Sequence, residues 1–304
     1  MRRLGRFLAA LMSKIKMSLR LLSAVLFLLI GSPYAWAEDT IRLAVAANFA
    51  APLKHIVDEY SHQTGEKLSI TISSSGTLYA QIIHGANFDV FFSADTQRPR
   101  ALIDAGRISE SDVVPYAQGR LAFVTHDHAI IENGLTDENV NTLLEQHRLA
   151  IANPKLAPYG VAAQQALVNL GLWDDIKPSL VMGKNVQQTY QFFTTKNVGA
   201  ALVAYSLVKN SAPSVLVPDN VYSPIVQSLA ILTPHSQEKL DTHTTQEKLD
   251  THTKLDTHTK LDTHRSKHER VKAFVDYVLS VGVQDKLVEF GYKPVLPVQG
   301  AISE

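Results

Sequence analysis

The run of hydroxyl-bearing residues around position 75 has the composition of a site that binds an anion through neutral donors. Residues 73–77 read Ser-Ser-Ser-Gly-Thr, after an apolar strand pattern and before a helix pattern. The N-terminus of a helix leaves backbone N–H groups without acceptors in the helix and carries the positive end of the helix dipole. Such a turn can hold an oxyanion without a cationic side chain. We therefore predict an oxyanion cradle in which Ser75 is a donor.

A second turn of this kind surrounds Asn48. It follows a strand pattern at 41–46 and opens an amphipathic helix pattern at 49–64, and asparagine is a favoured N-cap residue. The carboxyl ends of neighbouring parallel strands lie at one edge of a sheet, where α/β proteins bind ligands. Asn48 and Ser75 are thus expected to face one ligand. The simpler alternative for both residues is that each only caps its helix.

The elements that position these turns alternate between strand and helix along the chain. Strands are predicted at 41–46, 68–72 and 88–92, with helices at 49–64 and 77–84 between them. This β-α-β-α-β order predicts the α/β class with a doubly wound sheet. A second series predicts a second α/β lobe and the closing elements, with strands at 120–125, 148–152, 200–204 and 225–232 and helices at 159–170, after 185, at 271–279 and at 284–290.

The two series divide the mature chain into two lobes. We assign residues 38–118 and 230–304 to lobe 1 and residues 119–229 to lobe 2. Neither junction contains a long linker, so the chain is expected to cross between the lobes on short strands. Two lobes joined in this way leave a cleft that can open and close about a hinge.

Composition limits the classes of function. The chain has 304 residues with 29 basic and 29 acidic side chains, so its formal net charge is zero. Without a basic field, binding of nucleic acid or of an anionic membrane surface is not expected. The chain contains no cysteine, which excludes thiolate metal sites and cysteine nucleophiles.

The first 37 residues have the pattern of a signal peptide. Basic residues up to position 20 precede an apolar run at 21–30 and the small-x-small triplet Ala35-Trp36-Ala37. The apolar run is shorter than the roughly 20 residues that a membrane-spanning helix needs. Cleavage is predicted after Ala37, with export to a bacterial periplasm, and translation starts at Met1, Met12 or Met17.

A tandem repeat interrupts the fold at 236–268. Copies of Lys-Leu-Asp-Thr-His recur there, so that histidines return at short intervals. One interpretation is metal capture by the imidazoles, for which His264 and His268, four residues apart, are the best candidates. The other interpretation, which we favour, is a surface insertion without a hydrophobic core. Each repeat unit carries one Lys and one Asp, so it is neutral, and it has too little apolar area to form a core.

Taken together, the motifs resemble those of the periplasmic molybdate-binding proteins (ModA), which supply ABC transporters. Their order and spacing carry the resemblance across nearly the whole mature chain outside the repeat. The matching segments are 46–50 (Ala-Ala-Asn-Phe-Ala), 73–78 (Ser-Ser-Ser-Gly-Thr-Leu), 81–82 (Gln-Ile), 89–95 (Asp-Val-Phe-Phe-Ser-Ala-Asp), 148–154 (Arg-Leu-Ala-Ile-Ala-Asn-Pro), 158–160 (Pro-Tyr-Gly) and 291–292 (Gly-Tyr).

This resemblance implies a two-lobe periplasmic-binding-protein fold of type II, in which each lobe is a doubly wound mixed sheet and the ligand cleft lies between them. It implies that Asn48, Ser75, Tyr159 and Val186 bind the oxyanion, partly through backbone N–H groups, in the variant of the site that contains Asn and Tyr. Many members have a binding Tyr one position earlier than Tyr205, so Tyr205 is not assigned to the site. The implied protein is a monomer that has no catalytic residue or cofactor and delivers its anion to a membrane permease.

The chemistry of these residues agrees with a fully deprotonated anion. Molybdate or tungstate presents four acceptor oxygens and no proton, which suits a site made of donors. Hydrogenphosphate carries a proton that needs an acceptor, and no Asp or Glu is among the matched positions. The segment at 89–95 is interpreted as structural, with Asp95 capping the next helix.

Three other functions remain open at this stage. The chain could bind another proton-free oxyanion, such as sulfate or thiosulfate, because sequence does not report the size of the cavity. It could deliver a metal through the histidine repeat. A secreted hydrolase with a nucleophilic serine in the turn is disfavoured, since Gly-x-Ser-x-Gly at a strand-to-helix elbow is missing.

Overall fold

Two five-stranded sheets organise the chain. The structure is a computed structural model that describes residues 40–126, 132, 148–233 and 267–295. The strands are β1 (Ile41–Ala46), β2 (Leu68–Ser73), β3 (Val90–Phe92), β4 (Val113–Gly119), β5 (Leu121–Thr125), β6 (Leu149–Ala152), β7 (Val181–Gly183), β8 (Ala200–Ala204), β9 (Ser214–Leu216) and β10 (Ile225–Ile231). Their order is β2-β1-β3-β10-β4 in the first sheet and β7-β6-β8-β5-β9 in the second.

Helices connect the strands of both sheets. They are α1 (Ala50–Thr64), α2 (Ser75–Ile83), α3 (Gln97–Asp104), α4 (Pro158–Asn169), α5 (Trp173–Ile176), α6 (Val186–Thr194), α7 (Tyr205–Val208), α8 (267–278) and α9 (Val281–Glu289). Short 3-10 turns lie at Ala47–Phe49, Glu110–Asp112, Lys177–Ser179 and Asp219–Val221. Within the part of the chain that the structure describes, no helix has the length and apolar character needed to cross a membrane.

Parallel pairing brings the predicted turns of the first sheet to one edge. β1 is parallel to β2 and β3, and Ala46 at the end of β1 pairs with Ser73 at the end of β2. The turn that contains Asn48 and the start of α2 at Ser75 therefore leave the sheet side by side. In the second sheet, β6 is parallel to β7 and β8, and the ends of β6 and β7 pair through Ala152 and Gly183. The helices α4 and α6 follow these two strand ends.

The chain crosses between the lobes twice. Arg120 alone separates β4 in the first sheet from β5 in the second, and the return lies between Leu216 and Ile225. The predicted boundary at 229/230 is wrong, because β10 pairs with β3 and β4 of the first sheet. An apolar run buried on both faces looks the same in either sheet, so the sequence pattern could not assign it. As observed, lobe 1 comprises 40–119 and 225–295, and lobe 2 comprises 120–224.

Most predicted elements are found within a few residues of their expected bounds. The α/β class with two mixed sheets is confirmed. The helix predicted from Thr77 begins two residues earlier, at Ser75, and the strand predicted at 88–92 is limited to Val90–Phe92. The strands β4, β7 and β9 had no clear signal, since they are short or contain Pro115 and polar residues. The predicted signal peptide at 1–37 and the repeat up to residue 266 lie outside the described residues.

Aromatic packing fixes the turn after β1. Phe49 is fully buried, with its ring centroid 4.6 Å from that of Tyr116 and 5.7 Å from those of Phe92 and Tyr292. Burial of a Phe side chain contributes about 1.5–3 kcal/mol, and each favourable aromatic pair adds about 0.5–1.5 kcal/mol. The residue beside Phe49, Asn48, is thereby held in a defined place at the edge of the sheet.

The core of lobe 2 continues into lobe 1 at this edge. Ala46, Ala47 and Ala94, which end or follow strands of lobe 1, pack in one buried cluster with Tyr159 and Val186 of lobe 2. Small side chains at these positions let the two lobes approach closely. The buried contact places the candidate residues of both lobes around one region.

Candidate functional site

Asn48 lies within the 3-10 turn and does not cap a helix. The N-cap position of α1 is Phe49, and no side chain caps that helix, so the prediction of Asn48 as an N-cap is wrong. The 3-10 turn shifts the start of α1 by one residue, from Phe49 to Ala50. Asn48 is 1% exposed, and its Nδ2 donates to Gln227 Oε1 at 2.8 Å and lies 3.2 Å from Tyr292 Oη.

Ser75 is the first residue of α2, and the neighbouring Ser74 is the cap. Thr77 N–H donates to Ser74 Oγ at 3.2 Å, so the alternative that Ser75 only caps the helix is wrong. Ser75 is 1% exposed, and its Oγ accepts a hydrogen bond from Ala94 N–H at 2.9 Å. Because this bond uses a lone pair, the hydroxyl proton of Ser75 remains for another acceptor.

One N–H in the first turn of α2 is left over for a ligand. Gly76 N–H donates to Leu156 O of lobe 2 at 2.9 Å, and Leu78 N–H donates to Ser74 O at 3.0 Å. A methyl group on Gly76 would lie 2.8 Å from that Leu156 oxygen, which explains the glycine. With Thr77 bound to the cap, the Ser75 N–H has no acceptor among the residues that the structure describes.

Tyr159 is the second residue of α4 in lobe 2. Pro158 begins this helix and has no N–H, while the N–H groups of Gly160 and Val161 both donate to Ala157 O. Considering only described residues, this leaves the Tyr159 N–H without an acceptor. Its side chain is 2% exposed, and Tyr159 Oη accepts from Gln227 Nε2 at 3.3 Å.

Val186 starts α6 in lobe 2. The side chain of Asn185 caps this helix by accepting from Gln188 N–H at 2.9 Å, and Thr189 N–H donates to Asn185 O at 3.1 Å. In the described part of the chain, the N–H groups of Val186 and Gln187 have no acceptor. The Val186 side chain is buried in the core of lobe 2, so only its backbone can bind a ligand. Helix α6 contacts the 3-10 turn that contains Asn48.

A buried amide joins the two halves of the site. Gln227 on β10 is fully buried, and its Oε1 accepts from Asn48 Nδ2 and, at 2.9 Å, from Tyr116 Oη. Its Nε2 donates to Tyr159 Oη across the cleft. Sequence reasoning missed Gln227, although a lone Gln within the apolar run Ile-Val-Gln-Ser-Leu-Ala-Ile was a usable signal. Such a residue is buried only when its polar atoms have partners.

Tyr292 and Ser206 complete the contacts around Asn48. The Oη of Tyr292 donates to Asn48 O at 2.8 Å, and Ser206 Oγ from lobe 2 lies 3.2 Å from the same oxygen. Tyr205 faces elsewhere, with the Arg120 guanidinium 5.1 Å from its ring centroid and Gly291 against the ring edge. The strand β8 ends at Ala204, so Tyr205 begins the next helix and Ser206 is the residue that reaches the site.

The phenols of the site are neutral donors. Burial raises the pKa of Tyr159 and of Tyr116 well above 10, and nearby phenol groups add to the shift. Burial also raises the pKa of Tyr292. These hydroxyl groups therefore keep their protons at neutral pH, and the site gains no negative charge from them.

The nearest carboxylate after β3 is neutralised within lobe 1. Asp95 forms an ion pair with Arg98 and accepts from Arg98 N–H at 3.0 Å and from Ser93 Oγ at 3.0 Å. The N-cap position of α3 is Thr96, so the prediction of Asp95 as the cap is off by one residue, although its carboxylate does bind an N–H group of the first turn. A carboxylate held by a guanidinium repels an anion at the neighbouring Ser75 less than a free one would.

Of the two histidines predicted as metal candidates, the structure describes only His268. His264 lies outside the described residues, and His268 Nδ1 is 3.0 Å from Thr233 Oγ1. Across residues 40–126, 132, 148–233 and 267–295, no group of three or more His, Asp or Glu side chains could hold a metal ion.

Comparison with known proteins identifies the family. Residues 41–243 match the family model described as bacterial extracellular solute-binding protein. The chain is 34% identical over 250 residues to the molybdate-binding protein ModA of Rhodobacter capsulatus, covering 80% of this chain and 98% of that protein. It is 36% identical over 200 residues to the molybdate-binding protein ModA of Azotobacter vinelandii, covering 64% of this chain and 77% of that protein.

The fold agrees with the sequence match. The solved structure of the Azotobacter vinelandii periplasmic molybdate-binding protein matches with a TM-score of 0.67 and 25% sequence identity, over 84% of this chain and 99% of that one. The sulfate-binding protein SubI of Mycobacterium tuberculosis shares the fold at a TM-score of 0.60 and 12% identity. The two-lobe fold and the sequence identity together show that the chain belongs to the bacterial extracellular solute-binding proteins and, among them, to the ModA family.

Proposed function

We propose that the chain is the molybdate-binding component of an ABC transporter. The observation that carries this proposal is the set of backbone N–H groups without protein acceptors, in the described chain, at Ser75, Tyr159 and Val186. They lie in the first turns of three helices, one in lobe 1 and two in lobe 2, and interlobe contacts bring these turns together. Three helix N-termini directed at one region favour an anion.

The chemistry of the donors favours a proton-free dianion. Ser75 Oγ and Tyr159 Oη already accept hydrogen bonds from the protein, so these hydroxyl groups offer donors to a ligand. Gln227 Oε1 is occupied as an acceptor by Asn48 and Tyr116. Molybdate and tungstate have four acceptor oxygens and no proton at neutral pH, whereas hydrogenphosphate would bury an unpaired O–H. The names of the ModA relatives direct the choice to molybdate.

The family supports a proposal for the wider role. The protein acts without catalysis: the lobes close over molybdate or tungstate, and the closed form, a monomer without a resident cofactor, docks on a membrane permease. It works in the periplasm after export by a signal peptide cleaved behind Ala37. Sequencing the mature N-terminus tests this step, because a start other than about Glu38 would contradict it.

Calorimetric titration of the purified protein tests the proposed function. Molybdate, tungstate, sulfate and phosphate are titrated separately under the same conditions. We expect saturable one-to-one binding of molybdate and no heat of binding with phosphate. The absence of binding with molybdate, or equal affinity for sulfate, would remove the proposal of a molybdate-specific protein.

A further inference from the structure

The amide of Gln227 touches one predicted ligand residue from each lobe. Its Oε1 lies 2.8 Å from Asn48 Nδ2 in lobe 1, and its Nε2 lies 3.3 Å from Tyr159 Oη in lobe 2. Gln227 itself is fully buried. No other described side chain hydrogen-bonds to the side chains of both Asn48 and Tyr159.

The surroundings fix which end of this amide faces which lobe. Asn48 Nδ2 and Tyr116 Oη both donate to Oε1, the second at 2.9 Å. A reversed amide would oppose its N–H group to the N–H of Asn48 and would lose that bond, at a cost typical of buried unpaired donors. Nε2 must therefore face Tyr159, where it uses a lone pair of the phenol oxygen.

This polarity decides where the Tyr159 proton points. A hydroxyl that accepts on one side places its own proton in another direction. Burial keeps the phenol protonated, since it raises the pKa of Tyr159 well above 10. The proton is thus left for an acceptor between the lobes rather than for Gln227.

We propose that Gln227 is a positioning residue for the anion, whose amide fixes the place of Asn48 and leaves the Tyr159 hydroxyl proton to donate when the lobes meet. The inference rests on the proposed function, because it assigns Gln227 a role in the same anion site. It adds a specificity determinant on β10 that contacts the donors and not the ligand. Because the amide oxygen of Gln227 already accepts hydrogen bonds from Asn48 and Tyr116, it offers no acceptor to the proton of a protonated anion.

The test replaces the amide by a group of the same shape and opposite polarity. In Gln227→Glu, an ionised carboxylate presents an acceptor to Tyr159 and draws the phenol's hydrogen bond away from the ligand, so molybdate affinity is expected to fall roughly 10- to 100-fold at about pH 8. Protonation of the introduced carboxyl group restores a donor, so the affinity of the variant recovers as pH falls towards about 5, while the wild type stays constant over this range.

A double-mutant cycle separates this role from simple charge repulsion. Titrations compare Gln227→Glu with and without Tyr159→Phe, and the loss caused by Gln227→Glu is expected to be at least about threefold smaller when the phenol oxygen is missing. Equal fold-losses in both backgrounds, or wild-type affinity of Gln227→Glu at every pH, would overturn the inference.

Two controls keep the result interpretable. Gln284→Glu makes the same change at a buried glutamine of α9, whose Nε2 donates to Val278 O at 3.1 Å, and is expected to lower the melting temperature while changing affinity less than about threefold. Circular dichroism confirms that each variant folds. If the wild type does not bind molybdate, the proposed function fails. If the wild type binds molybdate but the double-mutant cycle shows no coupling between Gln227 and Tyr159, only the role of Gln227 fails.

Discussion

Replacement of Ser75 by Ala tests whether its hydroxyl belongs to the anion site. The Oγ of Ser75 accepts from Ala94 N–H at 2.9 Å, so its proton is free to donate to a buried oxyanion. A hydrogen bond to a charged group contributes about 1.5–3 kcal/mol, which corresponds to a roughly 10- to 150-fold loss of molybdate affinity. The measurement is a calorimetric titration of each variant at equal pH and ionic strength.

The neighbouring serine provides the matched control. Ser74 caps α2 through Thr77 N–H at 3.2 Å, and loss of such a cap costs about 0.5–2 kcal/mol of stability. Ser75→Ala also costs about 1–3 kcal/mol because it leaves the Ala94 N–H without its acceptor. Both variants thus lose stability in thermal denaturation, but only Ser75→Ala should lose most of its affinity. Unchanged binding by Ser75→Ala, or equal losses in both variants, would refute the assignment.

Three further outcomes follow from the structure. A methyl group at Gly119 would overlap Tyr159 Oη, so Gly119→Ala should abolish molybdate binding in a titration, whereas retained binding would show that the lobes need not meet as described. Since burial raises the pKa of Tyr116 and Tyr159 well above 10, the folded state keeps protons that the unfolded chain releases above about pH 10. The contribution of these two tyrosines to the free energy of unfolding is therefore complete below about pH 10 and falls above it, by up to about 1.4 kcal/mol per pH unit for each tyrosine. Denaturant unfolding at several pH values measures this fall, and an equally steep fall for Tyr116→Phe would show that the buried phenols do not cause it. Deletion of 237–265 should leave molybdate affinity unchanged. The free energy of unfolding should stay equal or rise by up to about 2 kcal/mol, because the segment between residues 233 and 267 becomes about eightfold shorter. Loss of molybdate binding would instead show that the repeat has a role in the site.

Sequence patterns located the anion site because strand ends and turn chemistry are local signals. Apolar alternation placed the ends of β1 and β2, and the pairing of Ala46 with Ser73 brings Asn48 and Ser75 to one edge. The pattern could not predict which serine caps the helix and which faces the ligand. Consecutive serines give the same capping signal, and the contact of Gly76 with Leu156 of the other lobe is made only in the folded chain.

The second half of the site depends on contacts between residues far apart in sequence. Tyr159 and Val186 were placed through the family resemblance, since neither residue type alone indicates a ligand. Gln227 was missed because an apolar strand buried on both faces hides one polar residue, whose role appears only when Asn48 and Tyr159 contact its amide. The wrong boundary at 229/230 has the same origin, because β10 carries no local mark of the sheet that it joins.

A crystal structure of the protein with molybdate tests the central claim most directly, since the anomalous signal of molybdenum locates the anion. We expect one molybdate between the lobes, with oxygens about 2.7–3.2 Å from the backbone nitrogens of Ser75, Tyr159 and Val186 and from Ser75 Oγ. Molybdate bound away from these helix starts, or held by the histidines of the repeat, would contradict it.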